Sequence, residues 1–105
     1  MAQFDVYVNP NPATREAIPY VLDVQHQMLA GLATRVVVPL ADSAAMRGEA
    51  GAIVNPVFEI DGRKLVMLAP QLAAIPSRPL DRPVVDLSSS RQAIIAALDF
   101  VFTGV

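Results

Sequence analysis

The chain holds one histidine, His26, and no cysteine or tryptophan, and that scarcity bounds its chemistry. A single imidazole without a thiolate or a second histidine cannot hold a transition metal, and no disulfide can form. No Gly-rich phosphate loop, zinc signature or nucleotide fingerprint occurs. Spacing sets no serine or aspartate beside His26 for nucleophilic catalysis, so it reads as an ordinary surface or interface residue. The ten acidic residues supply carboxylates, but spacing alone singles out no acid/base pair among them. No cofactor and no metal are expected.

What remains is the chemistry of apolar contact, concentrated where chains are usually polar and frayed. The sequence stops on "LDFVFTGV". From Arg91 onward, Ile94, Ile95, Leu98, Val101, Phe102 and Val105 recur at i, i+1, i+4, i+7, i+8 and i+11, one stripe of a helix that runs to the last residue. Gly104 suits the end of that helix, and Ser88, Ser89 and Ser90 offer N-cap hydroxyls at its start. The stripe has two readings. Ile94, Ile95 and Leu98 suit a core face, whereas Phe102 to Val105 suit either a buried end or an exposed anchor for a partner.

The elements that must carry this helix are strands. "FDVYV" alternates, with Phe4, Val6 and Val8 on one face and Asp5 and Tyr7 on the other, until Asn9-Pro10-Asn11-Pro12 breaks it. Residues 18–25 read as a second strand, with Ile18, Tyr20, Leu22 and Val24 on one face and Pro19 marking its start or an edge. "TRVVVPLA" is a β-branched run suited to a more buried strand. Residues 42–52 read as a mobile loop with room for one helical turn. "VFEIDGRKLVML" is a hairpin: Asp61-Gly62 is the pair a type I′ turn prefers, and it sets Glu59 opposite Lys64 and Phe58 opposite Leu65. "PQLAAIP" reads as a short helical or irregular turn, and "RPVVDL" as one last strand. The expectation is four to six antiparallel strands followed by one helix.

At 105 residues the chain is expected to form a single domain, residues 1–105. Its 53% hydrophobic content exceeds what one small core hides, which argues for a homodimer or another permanent interface. Eight scattered cations and a net charge of −2 lack the basic stripe of a nucleic-acid binder. The N-terminus has no basic and apolar leader, and no apolar run approaches a membrane span. A cytoplasmic protein without membrane contact is expected.

In this order, "QFDVYVNP", "YVLDVQHQML", "TRVVVPLA", "NPVFEIDGRKLVML", "QLAAIP", "VVDLSSSRQAIIAALDF" and the final "FTGV" resemble the CcdB family over nearly the whole length. The resemblance implies a mostly β (α+β) fold: an SH3-like antiparallel barrel of the CcdB/MazF-Kid type with a C-terminal helix, forming a homodimer. It implies a toxin of a type II toxin–antitoxin pair that is not an enzyme. Such a toxin binds the A subunit of DNA gyrase and traps the cleaved-DNA complex. A CcdA-like antitoxin neutralises it with a disordered segment, and the pair represses its own operon, touching DNA only through the antitoxin.

The residues that match the family's gyrase-facing surface are Met28, Leu29, Asp99, Phe102, Thr103, Gly104 and Val105. Thr103 stands where the family has a tryptophan, Asp99 where it has an asparagine, Met28 and Leu29 where it has two isoleucines, and His26 where it has a serine. Either Phe102 and Met28 take over the anchoring that the tryptophan provides, or poisoning is weakened or lost. An endoribonuclease on the same fold is the other alternative; it would need Arg35 or Arg82 to converge with further groups on one pocket, against an acidic net charge.

Overall fold

Thr34–Asp42, the stretch with three successive valines, forms the longest strand, and the sheet is organised on it. In chain order the strands are β1 (Asp5–Val8), β2 (Tyr20–Asp23), β3 (Thr34–Asp42), β4 (Val57–Ile60), β5 (Arg63–Met67), β6 (Ala73–Pro76) and β7 (Val85–Asp86), followed by the helix α1 (Arg91–Thr103). The computed structural model describes residues 2–43 and 54–104. The strands pair antiparallel in the order β4-β5-β3-β2-β1-β7, with β6 also beside β3. They form a nearly closed barrel carrying one C-terminal helix, an α+β fold of the SH3-like kind.

β3 is buried on both faces, which suits its valines. Val38 and Leu40 point into the main core with Phe4, Val6, Leu22, Leu65 and Met67, while Val37 joins Tyr7, Val21 and Leu80 in a second cluster. β3 is also long enough to serve two strands end to end. Residues 34–37 pair with β6 and residues 40–42 with β5. "AAIP" is therefore a strand, which corrects the expected turn; of that stretch Ala69–Gln71 alone forms a 3-10 turn. With β6 the described residues contain seven strands rather than four to six. A strand edge left beside β3 would expose unpaired amides and carbonyls, and β6 satisfies them.

The hairpin follows its sequence residue for residue. Asp61 and Gly62 both take positive φ, 51° and 77°, and Glu59 faces Lys64 while Phe58 faces Leu65. A Cβ at Gly62 would meet nothing within 4 Å, so its requirement is conformational and not steric. Gly62→Ala is expected to cost about 1 kcal/mol through the left-handed backbone alone, measured by urea unfolding. A loss near zero would mean that the turn relaxes to another type.

β1 keeps its expected alternation but is covered on both faces. Val6 lies in the main core, but Val8 is 47% exposed and Tyr7 only 1%. Phe4, whose φ is 74°, shares the main core with Val6 as expected, and the departure lies at Val8. The Phe4 backbone is held from both sides, with its N–H donating to the Asp23 carbonyl and its carbonyl accepting from Leu87. Tyr7 is covered by Leu80 from the segment leading to β7, which local periodicity cannot foresee.

Burial, helped by the charges of Asp5 and Asp23, pushes the Tyr7 phenol above the ordinary 10.0. The folded protein then keeps a proton that the unfolded chain has begun to release, so this contribution is whole below about pH 10 and declines as pH rises beyond it. Tyr7→Phe is expected to remove that share of the alkaline decline, read by comparing both proteins in urea at about pH 9 and about pH 11. Parallel curves would show that Tyr7 ionises as freely folded as unfolded.

α1 is seated as its stripe requires. Ile94 and Ala97 are buried, and Ile95, Leu98 and Val101 pack against the same core. Its start is arranged differently from the expected serine cap: the Ser90 side chain makes no capping hydrogen bond. Asp86 Oδ1 instead accepts from the Ser88 amide at 2.7 Å, starting the 3-10 turn Ser88–Ser90 that leads into the helix. The expected loop at 42–52 falls, from residue 44 onward, outside the described residues; Asp42 itself closes β3.

Candidate functional site

The link from β2 to β3 runs from Val24 to Ala33 and carries Met28 and Leu29. Both lie in the 3-10 turn Gln27–Leu29, 86% and 50% exposed, and Leu32 beyond them is 53% exposed. Three large apolar side chains in five residues face outward. Such a stretch keeps one shape only if something beneath it is fixed.

A buried polar network fixes it. Asp23 ends β2, Arg35 is the second residue of β3, and neither side chain is exposed. Arg35 Nε and Nη2 both donate to Asp23 Oδ2, at 2.9 and 2.5 Å, and Nη2 also reaches the Gln25 carbonyl at 3.3 Å. The other carboxylate oxygen accepts from the Gln25 amide at 3.0 Å. Arg35 Nη1 is buried with no acceptor among the described residues. Burial holds the Asp23 carboxyl above the usual aspartate range, opposed by the hydrogen bonds from Arg35 and the Gln25 amide.

Gln25 extends this network into the loop. Its Nε2 donates to the carbonyls of Leu29 (3.0 Å) and Thr34 (3.3 Å), and its Oε1 accepts from the Val36 amide at 3.0 Å. His26 finishes the turn from outside: Nδ1 accepts from the Met28 amide at 3.1 Å, and its carbonyl accepts from the Leu29 amide. The single histidine thus acts as a cap, the work an Asx side chain does in a turn.

The second group of sequence-predicted residues sits at the end of α1. Phe102 is 71% exposed and Phe100 40%, while Asp99, Thr103 and Gly104 are also exposed. Gly104 adopts the left-handed conformation (φ 75°) and returns its N–H to the Phe100 carbonyl. The Thr103 hydroxyl turns back to the Asp99 carbonyl at 2.8 Å, so it serves its own helix. Asp99 stands just before the last turn of the helix, and that turn, where the helix dipole favours cations, contains no basic residue. Val105 lies outside the described residues.

The loop and the helix end rest on one foundation. Val24 at the root of the loop and Leu98 and Val101 of α1 pack against the same core cluster. Among the described residues, no hydrogen bond or ion pair joins the two groups. Leu32, Phe100 and the Asp23–Gln25–Arg35 network were missed from sequence. The motif "DVQ" followed by "R-x-V" contained the network, but only its tertiary pairing reveals it.

Elsewhere a shallow groove of about 200 Å³ lies over Val21, Val37, Pro39, Ala73 and Ile75, with Asn9 at its rim. The Asn9 amide is committed internally, donating to Thr14 and the Ile18 carbonyl and accepting from Asn11. Among the described residues no cluster of His, Asp or Glu could hold a metal ion, and no helix is long and apolar enough to cross a membrane.

A small, nearly closed antiparallel barrel with one C-terminal helix is an α+β fold of the SH3-like class. The CcdB protein family model matches residues 3–104, and the chain belongs to that family, the toxin half of toxin–antitoxin pairs. No curated protein matches the sequence.

Proposed function

We propose that this chain poisons DNA gyrase by binding its A subunit and trapping the cleaved-DNA complex, without being an enzyme. The observation that carries the reading is the exposed apolar helix end, Phe102 at 71%, on a helix whose Ile94, Ile95, Leu98 and Val101 face the core. Met28 and Leu29 supply a second apolar contact, Gly104 closes the helix, and Val105 is assigned to the same contact from the family resemblance alone. Exposed Asp99, followed by a last turn without basic residues, favours a cationic group on the partner. Large exposed aromatic side chains of this kind are typical anchors of an interface.

The same surface suits a CcdA-like antitoxin. A disordered segment that folds on binding covers scattered apolar residues well, and it would hide Phe102 until it is degraded. The toxin then reaches DNA only through the antitoxin in operon repression. Exposed Val8, Val57, Val84 and Val85 leave apolar area for the second protomer of a homodimer. The protein acts in the cytoplasm, where gyrase is.

Thr103 favours a second reading, a homologue with weakened poisoning. Its hydroxyl is turned to the Asp99 carbonyl, and its side chain offers little contact area where the family has a tryptophan. The endoribonuclease reading draws no support from His26, whose Nδ1 is engaged by the Met28 amide.

The deciding experiment incubates the protein with gyrase, supercoiled plasmid and ATP, then adds detergent and protease before electrophoresis. Accumulated linear DNA is the expected result. Absence of linear DNA, with gyrase still captured by the protein, selects the weakened homologue. Absence of both overturns the gyrase reading and directs the test to RNA cleavage.

A further inference from the structure

We propose that Gln25 is a positioning residue, the clamp that sets Met28 and Leu29 in the geometry their partner requires. The proposal rests on the gyrase reading for the identity of that partner. Its structural half stands on the hydrogen bonds alone.

Gln25 is 7% exposed, and its three side-chain hydrogen bonds all go to backbone. Two of the accepting or donating groups, at Thr34 and Val36, belong to β3; the third, the Leu29 carbonyl, belongs to the turn. The side chain therefore ties the turn to the strand across the loop. Its own backbone is tied in turn, with the amide on Asp23 Oδ1 and the carbonyl on Arg35 Nη2. A glutamine so placed is fixed at both ends.

The turn has little else to hold it. None of Gln27, Met28 and Leu29 is buried, and among the described residues none of them belongs to or packs on a core cluster. Its remaining bonds are local: His26 to Met28 and Leu29, Gln27 to Ala30 and Leu29 to Leu32. Such bonds preserve the shape of the turn but do not fix where it sits on the barrel. Among the described residues, only the Leu29 carbonyl is gripped from the strand side. Fixing exposed contact residues before binding removes an ordering cost from the complex. Loss of the clamp should thus weaken binding while the fold stays whole.

Gln25→Met keeps the length and removes all three bonds, and Gln25→Asn keeps the amide but shortens its reach. Val66→Ala, in the small cluster with Ala41 and Leu68, provides a variant destabilised away from the loop. Each full-length protein is tested against the dimerisation region of the gyrase A subunit, well below its melting temperature. Amide hydrogen exchange is followed at Leu29, Ala30 and Leu32, and at Val38 as the core reference.

The expected result is binding at least tenfold weaker for Gln25→Met, with exchange in the turn accelerated at least tenfold relative to Val38. Gln25→Asn should follow in the same direction, and Val66→Ala should bind within twofold of wild type. Should Gln25→Met fail to fold, Gln25→Asn carries the test by the same criteria. Wild-type binding matched within twofold by the folded Gln25 variant overturns the proposal, as does equal loss in Val66→Ala, which would make the effect one of stability alone. Failure of the wild type to bind gyrase overturns the gyrase reading; the clamp is then judged on exchange, and unchanged exchange in the turn overturns it.

Discussion

Arg35→Met is expected to destabilise the protein by about 3–5 kcal/mol, the usual cost of breaking a buried ion pair by removing one member. Methionine has nearly the length of the arginine stem, so little volume is lost. Asp23, with no exposed side-chain surface, would keep only the Gln25 amide as a partner. A carboxylate in that state has lost the cation that offset its desolvation, and it must protonate or draw in water.

The double variant Asp23→Leu with Arg35→Met removes both charges and should recover a large part of the loss, because a buried pair contributes little net stability over apolar side chains. The two results together separate the value of the pair from the penalty of the orphan. They are read by urea unfolding followed by far-ultraviolet circular dichroism, at one fixed protein concentration because association adds to apparent stability. A single-variant loss under about 1 kcal/mol would place the pair with ordinary surface ion pairs and deprive the β2–β3 loop of its foundation.

Phe102→Asp is expected to act in the opposite manner, leaving stability nearly untouched and weakening binding to the gyrase A fragment by about a hundredfold or more. Its side chain is 71% exposed, so its replacement removes little core contact and should shift the melting temperature by only ~2 °C or less. At an interface the same ring, desolvated in a pocket, carries about 2–4 kcal/mol, and a carboxylate in its place adds a desolvation cost. Phe100, at 40% exposure, is the natural comparison. Calorimetric titration of each variant checks the pair. A Phe102→Asp protein that binds like wild type would leave the helix end without a function in gyrase recognition.

The molecule divides between what short-range rules determine and what long-range packing decides. Asp61-Gly62 demands positive φ twice in succession, so the β4–β5 hairpin and its register were legible to the residue. The 3.6-residue stripe of α1 was legible for the same reason: backbone geometry repeats over a few residues, and the side chains repeat with it. Gly104 as the helix terminator belongs to this class. The ordered motifs of the whole chain also carried the family.

Contacts made from far along the chain decided the rest. Tyr7 faces inward because Leu80 closes over it, and β6 is a strand because β3 has an edge to satisfy. Asp23 and Arg35 stand twelve residues apart, and nothing in their types distinguishes a buried pair from two surface charges. Only the antiparallel pairing of β2 with β3 places them side by side, and with them Gln25 beneath the loop. By itself the sequence determined which residues could serve as contacts, the apolar Met28, Leu29 and Phe102. Tertiary structure decided that they are held outward, because that depends on which buried groups find partners across the sheet.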